Sequence, residues 1–104
     1  MARPYYAEYV KHAMRYYAKS MANAMSEKPR FKSEADKKNW SACQSALNTF
    51  TETERNALVT IYAGGDTIPD NVYQVSNDLS ISQDELWNLI NAMEKKVAKR
   101  RGLI

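Results

Sequence analysis

Apolar positions in this chain recur at steps of three and four, the spacing that holds them on one face of an α-helix. In the first run, Tyr6, Val10, Ala13, Tyr17, Met21 and Ala24 form one stripe. Tyr5, Tyr9 and Tyr16 widen it on one flank, and Met14, Ala18 and Met25 on the other. Glu8, Lys11, His12, Arg15, Lys19 and Asn23 face away. The pattern predicts a strongly amphipathic helix from about Pro4, whose missing N–H is no loss at a first helical position, to Met25. Pro29 ends it, and Ser26 to Lys32 reads as a solvated connector carrying Lys28, Arg30 and Lys32.

Four more helices follow from the same reasoning. Ser33, with Asp36 three residues on, opens a second, whose buried face is Trp40, Cys43, Leu47 and Phe50. Thr51 with Glu54 forms a capping box that opens a third, with Leu58, Ile61 and Tyr62 inward. Gly64-Gly65 ends it, as residues that accept positive φ. Asp66 to Asp70 reads as a link to a short helix with Val72, Val75 and Leu79 on its core face. Ser80-Ile81 is a turn, and Ser82 with Glu85 forms a capping box, the Ser accepting from a free N–H and the Glu reaching back, that opens the last helix, Gln83 to about Arg101. Leu86, Leu89, Ile90, Met93 and Val97 bury one side of it, with Trp87 beside them. Gly102 is a C-cap, after which Leu103 folds back. Two helices joined by so short a turn must cross steeply, which is the helix-turn-helix arrangement.

Composition agrees. At 104 residues the chain is one domain, with a two-helix part over 1–50 and a helix-turn-helix part over 51–104. Apolar content of 44% argues against disorder, and only three Gly and three Pro leave long stretches free to be helical. The expected fold is all-α: a five-helix bundle, two N-terminal helices packed on a C-terminal three-helix unit. Glu8, Lys11, Arg15 and Lys19 interrupt the most apolar stretch, so neither a signal peptide nor a membrane span is expected, and a cytoplasmic location follows by default.

The formal net charge of +3 is unevenly spread. Residues 1–49 carry nine Lys/Arg and four Asp/Glu; residues 50–92 carry one and seven; residues 93–104 carry five and one. An acidic body is thus flanked by two basic segments, and attraction to phosphates has to come from the flanks.

Enzyme chemistry finds no foothold, and no catalytic residue, metal or cofactor is expected. Cys43 is the only cysteine; it makes no internal disulfide or zinc site by itself, and on a buried face it reads as a small core hydrophobe. His12 sits on a polar face away from it. The Gly64-Gly65 pair follows a helix and precedes no Lys-Ser or Lys-Thr, so it is no phosphate loop. Carboxylates pair only at helix starts, where capping accounts for them.

The tyrosines of the first helix admit three readings. Rings interleaved with Lys and Arg stack on single-stranded bases; an amphipathic helix lies on a membrane surface; or the rings pack and leave their hydroxyls wet. Packing is preferred. Because that side is wider than one packing partner needs, a homodimer through Tyr5, Tyr9, Met14 or Tyr16 is expected.

The second half also carries a resemblance. FTETERNALVTIY (50–62), NVYQVSNDLSIS (71–82) and a long helix ending in basic residues resemble the fourth region of bacterial sigma factors, and phage late-gene transcription activators of the ArpU and RinA kind. The matching residues are Phe50-Thr51, Glu54-Arg55, Leu79-Ser80-Ile81-Ser82 and the recognition helix from Gln83. Ser80 stands where the pattern has a turn Gly, so a left-handed backbone there carries a cost. The resemblance implies a phage or mobile-element transcription regulator that binds promoter DNA or RNA polymerase. Gln83, Asn88 and Asn91 are then the candidates for base contacts, with a preference for adenine. Lys95, Lys96, Lys99, Arg100 and Arg101 are the candidates for phosphates, although cations in a last turn also complement the helix dipole. Asp84 and Glu85 suit a helix N-terminus but repel phosphates. The competing expectation is a protein-interaction module or homodimer that uses the helix-turn-helix as scaffold without touching DNA.

Overall fold

Five helices follow one another: α1 (Ala7–Ala22), α2 (Glu34–Leu47), α3 (Glu52–Ala63), α4 (Ile68–Leu79) and α5 (Gln83–Arg100). They come from a computed structural model that describes residues 5–22 and 33–104. The expected helix ends at Pro4 and Met25, and the connector 26–32, lie outside the described residues. The all-α, five-helix architecture is as the periodicity predicts.

Side-chain caps set the helix starts. Ser33 Oγ accepts from Asp36 N–H at 3.2 Å, and Ser82 Oγ accepts from Glu85 N–H at 3.1 Å. Of the three expected capping boxes only that at Thr51 has both arms: Thr51 Oγ1 accepts from Glu54 N–H, and Glu54 Oε1 accepts from Thr51 N–H, whereas at Ser33 and Ser82 the serine arm alone is made. Each cap satisfies a donor that the helix itself leaves open, an effect of about 1 kcal/mol. α4 starts earlier than its apolar pattern. Thr67 Oγ1 accepts from Asp70 N–H at 3.3 Å, and Pro69 sits in the first turn, so most of the expected 66–70 link is helix.

One core joins all five helices. α1 packs on α2, α3 and α5; α2 also packs on α5; α3 and α4 pack on each other and on α5. Met14, Leu47, Leu58, Ile61, Tyr62, Leu86, Ile90 and Met93 are fully buried, each worth about 1.5–3 kcal/mol of transfer free energy. The width of the apolar side of α1 has its explanation here, because three neighbouring helices cover it. Met14 is correspondingly 0% exposed and, contrary to expectation, is not available to a second copy. Met21, expected on the buried stripe, is instead exposed.

Two further differences lie in α4. Leu79 is 47% exposed, because the helix ends there and the chain turns back; Ile81, after the turn, packs against the core. Asn71, a polar residue one step from Val72, is buried. Its Nδ2 donates to Ile61 O at 2.9 Å and to Asp66 O at 3.1 Å, which fastens the α3–α4 corner. Arg15 of α1 adds bonds to Gly64 O and Asp66 O at 3.1 and 3.0 Å. Gly64 itself has φ −61°, so it does not end α3 through a left-handed conformation. It is required for space: a Cβ there would stand 2.6 Å from Asn71 Cγ.

The C-terminus closes as expected. Gly102 has φ 73°, and Leu103 N–H donates to Ala98 O at 2.8 Å, which ends α5 in a left-handed cap. Leu103 packs against the core, and Tyr5 Oη donates to its carbonyl. No helix among the described residues is long and apolar enough to cross a membrane.

Candidate nucleic-acid interface

The α4–α5 turn is built from a few short-range backbone constraints. Ser80 takes φ 55°, ψ 39°, the only positive φ at a non-glycine among the described residues. Its N–H and that of Ile81 both reach Ser76 O. Ser76 Oγ closes the loop by donating to Ile81 O at 2.6 Å. Ser80 and Ile81 therefore make the turn, and Ser82 caps α5 directly after them.

Burial of Leu86, Ile90, Met93 and Val97 fixes the rotation of α5. The opposite side is open to solvent and reads Asp84, Asn88, Asn91, Lys95 and Lys99, each three or four residues from the last. Gln83 is exposed beside it. From Asn88 onward this side carries no carboxylate, since Glu94 points inward and is 1% exposed. Lys95 and Lys99 have no carboxylate partner among the described residues.

The remaining candidate cations do not share that side. They face α2, which runs antiparallel to α5. Lys96 Nζ donates to Thr49 Oγ1 at 2.7 Å and lies 4.9 Å from the centre of the Phe50 ring. Arg100 Nε donates to Ser45 Oγ at 3.1 Å, and its Nη1 to Lys96 O at 3.2 Å. Arg101 Nε donates to Asn39 Oδ1, and its Nη2 to Tyr9 Oη at 3.1 Å. Tyr9 in turn donates to Asn39 Oδ1 at 3.0 Å. The eight expected residues thus divide into a solvent stripe of Asn88, Asn91, Lys95 and Lys99, an inter-helix seam of Lys96, Arg100 and Arg101, and Gln83, which is exposed at the first turn of α5 but off the line of the stripe.

That seam brings in residues on which sequence reasoning placed no role. Lys37 and Lys38 of α2 share a shallow groove of about 390 Å³ with Ser41, Arg100 and Arg101; Glu34 is its one carboxylate. The Lys37-Lys38 pair lies in the first two turns of α2, but only the packing of α2 on α5 joins it to the C-terminal basic run.

The expected homodimer residues also separate. Tyr5 is 79% exposed, Tyr9 is tied to Asn39 and Arg101, Tyr16 is half-buried and Met14 is core. Tyr5 borders a second, larger cleft of about 960 Å³, walled by Tyr62, Ile68, Pro69 and Trp87, with Lys11, Glu8 and Asp70 at its rim.

Cys43 is fully buried, and burial pushes its thiol up to about 12. Burial likewise raises the Tyr17 phenol, with the neighbouring Cys43 adding to the effect. No cluster of His, Cys, Asp and Glu that could hold a metal occurs among the described residues. Comparison of the chain with family models, with characterised proteins and with solved structures gives no match in any of the three.

Proposed function

We propose that this chain is a small DNA-binding transcription regulator of phage or mobile-element type, with a helix-turn-helix resembling sigma region four. The observation that carries this reading is the solvent side of α5 after the Ser80 turn. Asn88 and Asn91 offer amides with the donor–acceptor pattern that suits adenine, and Lys95 and Lys99 continue the same line with cations. A helix presented in this way by a tight turn, with neutral hydrogen-bonding groups followed by positive ones, matches what a major groove and its phosphate edge require. Asp84 and Glu85 weaken the approach at the N-terminal turn, where they stabilise the helix dipole instead. The test is duplex binding at low salt. Asn88→Ala is expected to change sequence preference, whereas Asp84→Asn with Glu85→Gln tightens binding to all duplexes. Absence of salt-sensitive binding to any duplex would rule this reading out.

The second reading is a protein-interaction module, with RNA polymerase or another protein as partner. The aromatic-walled cleft beside Tyr5 and Trp87 favours it, because rings at a partly polar rim are the composition of protein interfaces. A protein that fails to bind DNA yet loses a protein partner on Trp87→Ala would follow this reading.

A further inference from the structure

We infer that the seam between α2 and the C-terminal half of α5 is a docking site for the phosphate backbone of nucleic acid, separate from the recognition stripe. The inference rests on the DNA-binding reading and deepens it. Lys37 and Lys38 from α2 face Arg100 and Arg101 from α5 across one groove. Lys96 extends the line of cations along the same helix pair.

The partners of these cations matter most. Arg100 is held by Ser45, Arg101 by Asn39 and Tyr9, and Lys96 by Thr49, all neutral oxygens. These contacts orient the side chains without cancelling their charge. Lys37 and Lys38 are exposed and have no carboxylate partner among the described residues. Against four cations the groove sets Glu34 and the negative end of the α5 dipole, equivalent to about half a charge. Dipole complementation therefore accounts for only a small part of the positive charge gathered here.

An oriented row of guanidinium and ammonium groups with adjacent hydroxyls suits phosphate oxygens, which accept bidentate bonds from Arg and point-charge contacts from Lys. The neutral holding network also lowers the entropy lost when the Arg side chains are fixed by a ligand. The site lies at the opposite end of α5 from Asp84 and Glu85, about 25 Å away along the helix axis. The chain can thus grip a backbone at the pole where it is least repelled.

The experiment measures affinity for a mixed-sequence duplex of about 20 base pairs as salt rises from about 50 to 200 mM, where counterion release sets the slope. Lys37→Ala/Lys38→Ala is compared with the unaltered chain, with Glu34→Gln, and with Asn88→Ala/Lys99→Ala. Thermal melting of each variant checks the fold. The Lys37/Lys38 double variant should lower the log–log salt slope by about 1.8, about 0.9 per lost contact, on every sequence. Glu34→Gln should tighten binding. If the unaltered chain binds and the Lys37/Lys38 variant keeps the full slope, the seam is not a phosphate site, while the DNA-binding reading stands. If the Asn88/Lys99 variant binds normally and the Lys37/Lys38 variant does not, the seam inference holds and the recognition stripe falls. No salt-sensitive binding by the unaltered chain overturns both.

Discussion

The side-chain amide of Asn71 fills the space where a side chain on residue 64 would begin, 2.6 Å from the position of its Cβ. Gly64 is therefore held by a close approach between α3 and α4 rather than by its own backbone angle. Gly64→Ala should displace Asn71 from Ile61 O and Asp66 O and lower stability by about 1–3 kcal/mol, the cost of unsatisfying a buried amide. Gly65→Ala meets nothing within 4 Å and should be neutral or stabilising by up to about 1 kcal/mol. Urea denaturation of the pair checks this, since equal effects would contradict the steric account.

Ser80 is held in a left-handed conformation that glycine adopts without strain. Its own side chain is exposed, so little is lost by removing it. Ser80→Gly should raise stability by about 0.5–1 kcal/mol, the saving in αL strain less the glycine entropy. Ser76→Ala should do the reverse by about 1 kcal/mol, through loss of the bond to Ile81 O. Thermal melts of the two variants should move in opposite directions.

Burial holds the Cys43 thiol neutral up to about pH 12, whereas an unfolded cysteine ionises near 9. Between those values the unfolded chain has lost a proton that the folded chain keeps, so stability falls as pH rises. The slope from this group is at most about 1.4 kcal/mol per pH unit. Cys43→Ala should remove that component while costing some packing at every pH. In the folded protein near neutral pH, the thiol should resist a disulfide reagent and react only at the rate of unfolding.

Arg101, Asn39 and Tyr9 link α5, α2 and α1 through one set of bonds. Tyr9→Phe removes the hydroxyl that donates to Asn39 and accepts from Arg101. It should lower stability by about 1 kcal/mol without altering the helical content seen by circular dichroism. A larger loss, with helix melting, would mean that the ring rather than the hydroxyl holds the joint.

Features set within a few residues are legible in the sequence. The caps at Ser33, Thr51 and Ser82 are local hydrogen bonds, and the strain at Ser80 follows from one residue type in one turn. Gly102 and Leu103 close α5 for the same reason. Features that depend on two distant segments are not legible there. Asn71 looks like a surface residue until the α3–α4 corner folds over it. Met14 and the tyrosines occupy one wide apolar arc, and only the placement of α2, α3 and α5 decides which of them stay exposed. Thr67 is legible in principle, as a cap followed by Pro69 and Asp70, but its segment lacks the apolar period that marks the rest of α4. At the candidate site the solvent stripe of α5 follows from helical spacing alone. The seam does not, because Lys37 and Lys38 meet Arg100 and Arg101 only through tertiary packing.

The central claim is that nucleic acid meets the solvent side of α5. Its most direct test is an amide-resolved NMR titration of the isotopically labelled chain with mixed-sequence duplex DNA at low salt. The account predicts salt-reversible shifts at Gln83, Asn88, Asn91, Lys95 and Lys99, with Lys37 and Lys38 shifting alongside. Shifts confined to the walls of the cleft at Tyr5, Tyr62 and Trp87, or no shifts at any residue, would contradict it.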